Sequence, residues 1–505
     1  MAVTMTTPLL EVVNPATGVP IQSVPAQSRE DAQAAVSRAR EAQPAWAAMP
    51  FSERKRALRR LAHRLATDPE VVPTLMRESG KPRFEAEAIE VLYACEMTRF
   101  ATGRAGRLAL RDEVRNPFLF PWKRASVLRQ AVGVVGVIGP WNWPLLNNYG
   151  DAVAPLAMGN AVVLKPSPVT PLTSLLVERL WREEGLPENV FQVVVGGGEI
   201  GEALVDSVDM VFFTGSQATG RKVAQAAGAR LVPCVLELGG NSPMVVLGDA
   251  DLERAARAAV WSGFAHSGQV CIRTERVIVE SSVHDRFVER CLALTNALRQ
   301  GHDDPDEDRE LDVGAVTFAP QMERAERQIA QARGAGARVA SGGQRRPEIG
   351  PGFFAPTVLV GVTPDMDVSR EETFGPVLPV IRAANADEAI RIANETSHGL
   401  SAAIWSGDGR RAAELARRLD AGTVCVNDVL VNYLCVEAPL GGIKASGLGV
   451  RHGIEGLRQF CRIKTVVQDR RLARGVSAFA GRHLQFPYKR RVLRVLEWVL
   501  PRLYR

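Results

Sequence analysis

The sequence predicts an α/β protein with two doubly wound sheets, each flanked by helices. Three observations carry that prediction. Short apolar runs of strand length alternate with stretches of helical spacing, the pitch at which strand, helix and strand build a parallel sheet. The alternation comes in two series, and the change falls near residue 236. With 505 residues, 46% of them hydrophobic and 23% charged, the chain has material for more than one globular core.

Taken in order, SREDAQAAVSRAREAQPAW (28–46) opens with Ser28 and carries an acid three residues on, a capping-box pattern ahead of helical spacing. SERKRALRRLAHRLATD (52–68) repeats the design. GVVGVIG (133–139), AVVLKP (161–166), FQVVV (191–195) and MVFFTG (210–215) have the length and apolarity of buried parallel strands. Helical segments PLTSLLVERLWREEG (171–185) and EIGEALVDSV (199–208) lie between them. The second series is PMVVLG (243–248), RVIVE (276–280), ARVASGG (337–343), TVLVGV (357–362), GLSAAIWSG (399–407) and GTVCVN (422–427). No internal repeat or low-complexity linker interrupts it.

Composition excludes several function classes. A formal charge of +6 is small for this length, and the arginines sit beside acids along helical segments, so no nucleic-acid partner is expected. No early stretch has a basic start, an apolar run and a cleavage site, and a cytoplasmic protein is expected. The most apolar stretch, 132–146, is too short and too broken by Gly and Pro to span a bilayer. Seven cysteines, with no C-x-x-C pair, argue against a disulfide framework, and seven scattered histidines add nothing toward a metal site. Cys95, Cys291 and Cys425 stand in apolar runs where a thiol behaves as a small hydrophobe. Cys271, in SGQVCIRTERV (267–277), stands between a Gly and amide on one side and a charged run on the other. From its surroundings alone it is a filler, a ligand, half of a disulfide or a nucleophile.

VVVGGGEIG ends in Gly196, Gly198 and Gly201, a G-x-G-x-x-G after a strand and before a helix. Such a turn can carry a pyrophosphate on a helix N-terminus. The acid expected about twenty residues on is missing. FFTGSQATG (212–220) offers a second Gly-rich helix start, and spacing does not choose between the two.

Seven pieces occur in one order: GPWNWP (139–144), VVLKPSPVTP (162–171), FTGSQATG (213–220), LELGGNSP (236–243), GQVC (268–271), EETFGPV (371–377) and PLGGIKASGLGVRHG (439–453). Together they resemble the aldehyde dehydrogenase superfamily over roughly residues 10–470. GQVCIRTERV, RRPEIGPGFFAPTVL and VRHGIEGLRQF are most similar to a bacterial succinate-semialdehyde dehydrogenase subgroup. The resemblance implies a Rossmann-type coenzyme domain (1–236, with a bridging hairpin at about 115–132) and an α/β catalytic domain (237–440). A return to the coenzyme domain with an oligomerisation strand (441–470) and a basic amphipathic tail (471–505) follow.

The activity implied is NAD- or NADP-dependent oxidation of an aldehyde to its acid, and the subgroup resemblance points to succinate semialdehyde as that aldehyde. Cys271 matches the family nucleophile, which attacks to give a thiohemiacetal. Asn142 matches the oxyanion-binding amide. Glu237 matches the base that activates water against the thioester. Trp141, Lys165, Gly215, Ser216, Gly220, Glu372 and Phe374 match the coenzyme contacts. Many NAD-preferring members have a Glu three residues after the lysine. Here Pro168 stands there, so either coenzyme is open. Trp143, Asn147, Asn148 and Gly150 fall where relatives line the substrate tunnel. Arg273 would greet a substrate carboxylate or else pair with Glu275. Two rivals stand beside this: a coenzyme A-acylating enzyme, and a silent binding or structural protein on the same fold.

A homodimer or homotetramer follows from the resemblance, because the hairpin and the late strand RIKTVVQD (462–469) join sheets across subunits in relatives. In the tail FPYKRRVLRVLEWVLPRLYR (486–505), Val492, Val495, Leu496, Val499 and Leu503 form an apolar stripe. Lys489, Arg490, Arg491, Arg494 and Arg502 make it basic. Packing on a subunit is favoured over an anionic membrane, since Glu497 and Pro501 interrupt a membrane-facing design.

Overall fold

The computed structural model describes residues 8–305, 307, 310–470, 474–486 and 489–503, so parts of the tail lie outside the described residues. The chain divides into two units. One comprises the residues up to Leu108 with Ala131–Phe460; the other comprises Ala109–Gln130 with the residues from Cys461 onward.

The first unit holds a six-stranded sheet. Its order is Gly447–Leu448, Cys234–Glu237, Met210–Thr214, Val134–Ile138, Ala161–Lys165 and Phe191–Val193. The last five strands are mutually parallel, and Gly447–Leu448 runs antiparallel to Leu236 and Glu237. Val134, Val135, Val137, Val162 and Val163 are all fully buried, as a parallel sheet covered on both faces requires. The chain adds strands outward from Val134–Ile138 in one direction, then returns to its other side with Met210–Thr214. Strand order therefore reverses between these two, and the turns beyond their carboxyl ends bound a crevice, the usual place for a ligand.

A seven-stranded sheet follows: Arg338–Ser341, Thr357–Val362, Val377–Ala383, Arg276–Glu280, Pro243–Val246, Ser401–Trp405 and Thr423–Val426. Only Arg338–Ser341 is antiparallel to its neighbour. The sheets change over between Glu237 and Pro243. Val377–Ala383 is absent from the predicted series because Pro379 breaks its run. In the structure Pro379 pairs toward Leu359, and pairing with the other neighbour starts only at Val380. The missing N–H thus falls where one ladder has not begun. The hairpin of Leu9–Val13 with Pro20–Pro25 was also not predicted.

The helix Arg29–Ala48 begins with the expected box: Ser28 Oγ accepts from Asp31 N, and Asp31 Oδ2 accepts from Ser28 N. The next helix, Phe51–Thr67, does not repeat it. Its cap is Pro50 without a side-chain bond, and the residue three after Ser52 is Lys55, which cannot accept from a backbone N–H. A π-helical stretch over Glu85–Val91, a form common at functional sites, precedes the helix Leu92–Ala101.

The second unit is a three-stranded sheet, Cys461–Asp469, Lys123–Ala131 and Glu113–Arg115, with two helices, Arg474–Leu484 and Arg490–Leu503. Lys123 pairs with Asp469 at 2.6 Å, and Arg129 with Glu113 at 2.8 Å. On Arg490–Leu503, Glu497 lies three residues from Arg494 and seven from Arg490, so it shares the cationic side; Pro501 stands seven from Arg494. Neither interrupts the apolar side, contrary to the sequence expectation. No helix among the described residues is long and apolar enough to cross a membrane.

Candidate active site

Cys271 follows a tight turn, Ala265–Gly268, in which His266 and Ser267 have φ of 48° and 53° and Gly268 has 75°. Left-handed backbone at two non-glycine residues persists only when neighbours over-determine it. Here Glu85 Oε1 accepts from His266 N at 2.7 Å, Ser267 Oγ donates to Gly314 O at 2.7 Å, and Gln269 Oε1 accepts from Thr317 N at 2.8 Å. A Cβ on Gly268 would meet Gly375 O at 2.3 Å, so only glycine fits.

Asn142 lies in the loop after Val134–Ile138. It is buried, and its Nδ2 donates to Gln269 O at 2.8 Å, tying the amide to the segment carrying Cys271. The loop is braced from behind. Lys81 Nζ donates to Asn142 O at 3.0 Å, pairs with Glu90, and stands 3.9 Å from the Trp143 ring centre. Glu90 Oε2 accepts from the N–H groups of Leu145 and Leu146. The π-helical stretch therefore supplies both Glu85 and Glu90 to the walls of the site.

Glu237 ends its strand, is buried, and leaves Oε1 without a hydrogen bond. Arg451 Nε, equally unpartnered, stands 3.7 Å from that oxygen. Burial pushes the Glu237 carboxyl up to about 7; Arg451 opposes this and Asp151 adds to it. Burial likewise pushes the Cys271 thiol up to about 12, opposed by Arg451 and reinforced by Glu372 and Glu237.

Arg451 was quoted in the last sequence motif without a role. It is buried, and Nη1 reaches Asn147 Oδ1 at 3.1 Å, Tyr433 Oη at 2.8 Å and Asp151 Oδ1 at 3.3 Å, while Nη2 donates to Thr214 Oγ1 at 2.9 Å. Arg451 and Asp151 are 300 residues apart in sequence, and only the fold joins them. A lone Arg in a Gly-rich motif was the one available signal.

Arg273 does not face the tunnel. It is fully buried, pairs with Glu275 through Nε at 2.9 Å, and donates to Gly263 O, Thr274 O and Val377 O. It does not line the cavity at Cys271. Glu275 in turn accepts from Thr373 N at 3.2 Å and Phe374 N at 3.1 Å, so the pair holds the loop bearing Glu372 and Phe374.

Trp143, Asn147 and Cys271 line a cavity of about 80 Å³ with Ile89, Leu430 and Tyr433 among its other walls. Asn148 turns away to donate to Ser174 Oγ, and Gly150 packs against Met97 at a separate cavity.

The two Gly-rich helix starts now differ. At Gly198–Val205 a carboxylate already occupies the N-terminus, since Glu199 Oε1 accepts from Gly197 N at 3.0 Å. At Gln217–Ala229 the cap is neutral, Ser216 Oγ accepting from Thr219 N at 3.3 Å. This start also lies at the strand-order reversal, and it fits a coenzyme pyrophosphate. Gly220 serves helix packing, because a Cβ there would meet Leu238 at 2.5 Å. Lys165, at the end of the strand Ala161–Lys165, is lowered to about 8 by burial, with Glu199 opposing. Its ammonium donates to Pro166 O at 3.1 Å and has capacity for further acceptors. Glu372 accepts from Gly240 N at 2.9 Å and is raised to about 8 by burial, with Glu275 adding. Trp141 and Phe374 meet edge to face at 5.5 Å. These residues suit a dinucleotide. Among the described residues no His, Cys, Asp and Glu group could hold a metal ion.

Residues 3–466 match the Aldehyde dehydrogenase family. A Mycobacterium ulcerans (strain Agy99) protein provisionally named succinate-semialdehyde dehydrogenase (NADP+) 2 is 36% identical over 457 residues, covering 90% of this chain and 87% of its own. A similarly named protein of Mycolicibacterium smegmatis is 37% identical over 458 residues, with the same coverage. Among solved structures, an NADP-dependent enzyme of E. coli superposes with a TM-score of 0.87 at 33% identity, covering 92% of this chain and 95% of that one. Betaine aldehyde dehydrogenase of Staphylococcus aureus, solved with NAD+, superposes with a TM-score of 0.86 at 30% identity, covering 91% and 92%. Family match, relatives and superposed structures agree: this chain belongs to the aldehyde dehydrogenase family and is an NAD(P)-dependent oxidoreductase.

Proposed function

We propose that the chain oxidises an aldehyde to the carboxylic acid through two covalent states of Cys271, a thiohemiacetal and then a thioester. The observation that carries this reading is the buried Glu237 carboxyl, with Oε1 free of hydrogen bonds, 3.7 Å from Arg451 Nε, pushed up by burial to about 7 and close enough to bear on the Cys271 thiol. Glu237 takes the thiol proton, because a thiol held near 12 does not ionise by itself at neutral pH. Cys271 Sγ then bonds to the aldehyde carbon, and the carbonyl oxygen takes the negative charge. Asn142 has given one amide hydrogen to Gln269 O and keeps the other for that oxygen, alongside the Cys271 backbone N–H. NAD or NADP, when bound, accepts the hydride. Lys165 and Ser216 would hold its adenosine and pyrophosphate side, Glu372 and Phe374 its nicotinamide side. Glu237 releases the thiol proton to solvent, then takes a proton from the water that attacks the thioester carbon, and Cys271 leaves as the thiolate.

Glu237→Gln keeps the shape and loses the base. A first turnover should remain, as a burst of reduced nicotinamide near one per site, while steady turnover falls about 10²–10⁴-fold. The burst itself should also slow, because Glu237 takes the thiol proton; a burst at the wild-type rate would remove Glu237 from that step. An intact steady rate removes Glu237 from hydrolysis. Glu237 also argues against the coenzyme A-acylating alternative, since a thiol acceptor needs no water-activating carboxylate. Succinate semialdehyde enters through the relatives' printed names alone, because Arg273 is spent on Glu275.

A homo-oligomer and a cytoplasmic setting complete the reading. Among the described residues the strand Cys461–Asp469 stands at the edge of its sheet and exposes Ile463 and Val467, which suits pairing with a second copy. All seven cysteines are free thiols, as in a reducing compartment. The uninterrupted apolar side of Arg490–Leu503, with cations opposite, favours contact with an anionic bilayer. Light scattering should give a dimer or tetramer, and the full chain should co-sediment with phosphatidylglycerol vesicles but not phosphatidylcholine ones. Equal sedimentation in both, or in neither, returns the helix to protein packing.

A further inference from the structure

We infer that the substrate of this site is an uncharged, apolar aldehyde and that a carboxylate-bearing semialdehyde is selected against. This rests on the reading of Cys271 as the nucleophile. The tunnel to Cys271 is walled by Ile89, Trp143, Leu146, Trp261, Leu430 and Leu434, with small apolar residues between them, and none of its lining residues carries a charge. Its polar groups are neutral, and two of them are held by each other and by Arg451. Tyr433 Oη donates to Asn147 Oδ1 at 2.7 Å, and Arg451 Nη1 donates to both oxygens from behind the wall.

Succinate semialdehyde carries its carboxylate three bonds from the reacting carbon, so the anion would lie inside the tunnel whenever the aldehyde reached Cys271. A buried anion needs a cation or several donors. The nearby cations are committed. Arg273 is fully buried on Glu275 and does not line the tunnel, Lys81 is paired with Glu90, and Arg451 is held by Asp151 and faces Glu237. Other cations line the open crevice that shares Ile89, Trp261 and Ala265 with the tunnel. There Arg257 pairs with Glu253 at 2.7 Å, Arg83 with Glu87 at 3.3 Å, and Arg299 with Asp312 at 2.9 Å. An alkyl or aryl group gains from the walls. Each added methylene should raise kcat/KM about fourfold until the tunnel is full.

Two measurements test this. Wild-type kcat/KM is compared for propanal, pentanal, heptanal, benzaldehyde and succinate semialdehyde, with NAD and with NADP. Pentanal should exceed succinate semialdehyde by at least about a hundredfold, the expected penalty of an unpaired buried carboxylate. In parallel, Cys271→Ala is titrated with the same aldehydes and followed by tryptophan fluorescence, since Trp143 and Trp261 line the tunnel. Tighter binding of pentanal supports the inference even if no aldehyde is turned over, in which case the dehydrogenase mechanism fails separately. Tighter binding or faster turnover of succinate semialdehyde overturns the inference. Leu434→Arg, at a half-buried wall position, should narrow the gap at least tenfold. An unchanged gap in a folded variant would also overturn it, because charge would then not be the basis of selection.

Discussion

Behind Glu237 the chain buries Arg451 and Asp151 at 3.3 Å from each other, whereas the tunnel leading to the same Cys271 is walled by Ile89, Trp143 and Leu430. The charged side is costly. An ion pair taken out of water needs further hydrogen bonds to offset its lost hydration, and Arg451 has them from Asn147, Tyr433 and Thr214. The apolar side needs no such support and contributes through area alone. The contrast teaches that the charged support of Glu237 and the apolar walls of the tunnel meet only at Asn147 and Tyr433, which line the tunnel and also hold Arg451. Changes at the apolar walls Ile89, Leu430 and Leu434 can alter the preference while Glu237 keeps its surroundings.

Breaking the charged side should have the larger effect. Arg451→Met removes the cation that holds the Glu237 carboxyl down, so that carboxyl rises above about 7. The base form exists above the carboxyl pKa, so the acid limb of steady turnover moves to higher pH and the rate at neutral pH falls about 10²-fold. The same change leaves two buried carboxylates unpaired, and a loss of stability of about 3–5 kcal/mol accompanies it. Arg451→Lys keeps a cation and should retain most of the limb's position. A limb that stays put in a folded Arg451→Met variant would uncouple the two residues.

A smaller effect is expected at the coenzyme end, where a charge does select. Pro168 leaves no carboxylate at the position that many NAD-preferring relatives fill, but Glu199 lies close enough to bear on Lys165 from the adjoining helix start. Glu199→Gln should raise kcat/KM for NADP relative to NAD by about tenfold, worth about 1.4 kcal/mol. Pro168→Glu should move the ratio the other way. Initial rates with both coenzymes check the pair, and two unchanged ratios would put the adenosine ribose elsewhere.

Much of the site was legible in sequence because each motif sits at a strand end or a helix start, where backbone geometry and side-chain role coincide. Glu237 ends a buried strand, and Ser216 caps a helix. What escaped was direction. Arg273 is two residues from Cys271, yet its guanidinium turns into the core toward Glu275. Asn147 and Asn148 are adjacent and diverge, one to the tunnel and one to Ser174. The choice between the two Gly-rich turns depended on Glu199, whose carboxylate was visible in VVVGGGEIG but whose bond to Gly197 was not. Partnerships such as Arg451 with Asp151 leave no local trace, because neither residue departs from what its own segment permits.

The thiol of Cys271, held near 12 by burial, also bears on how the resting enzyme ages. Peroxide attacks thiolates, and a sulfur that keeps its proton is a poor target on the path to sulfenic and sulfinic acids. Cys271 is half-buried in its tunnel, so until Glu237 draws its proton away it is the slower target. Oxidative damage should fall first on Cys435, which is exposed, and reach Cys271 only when its proton has been drawn away for catalysis.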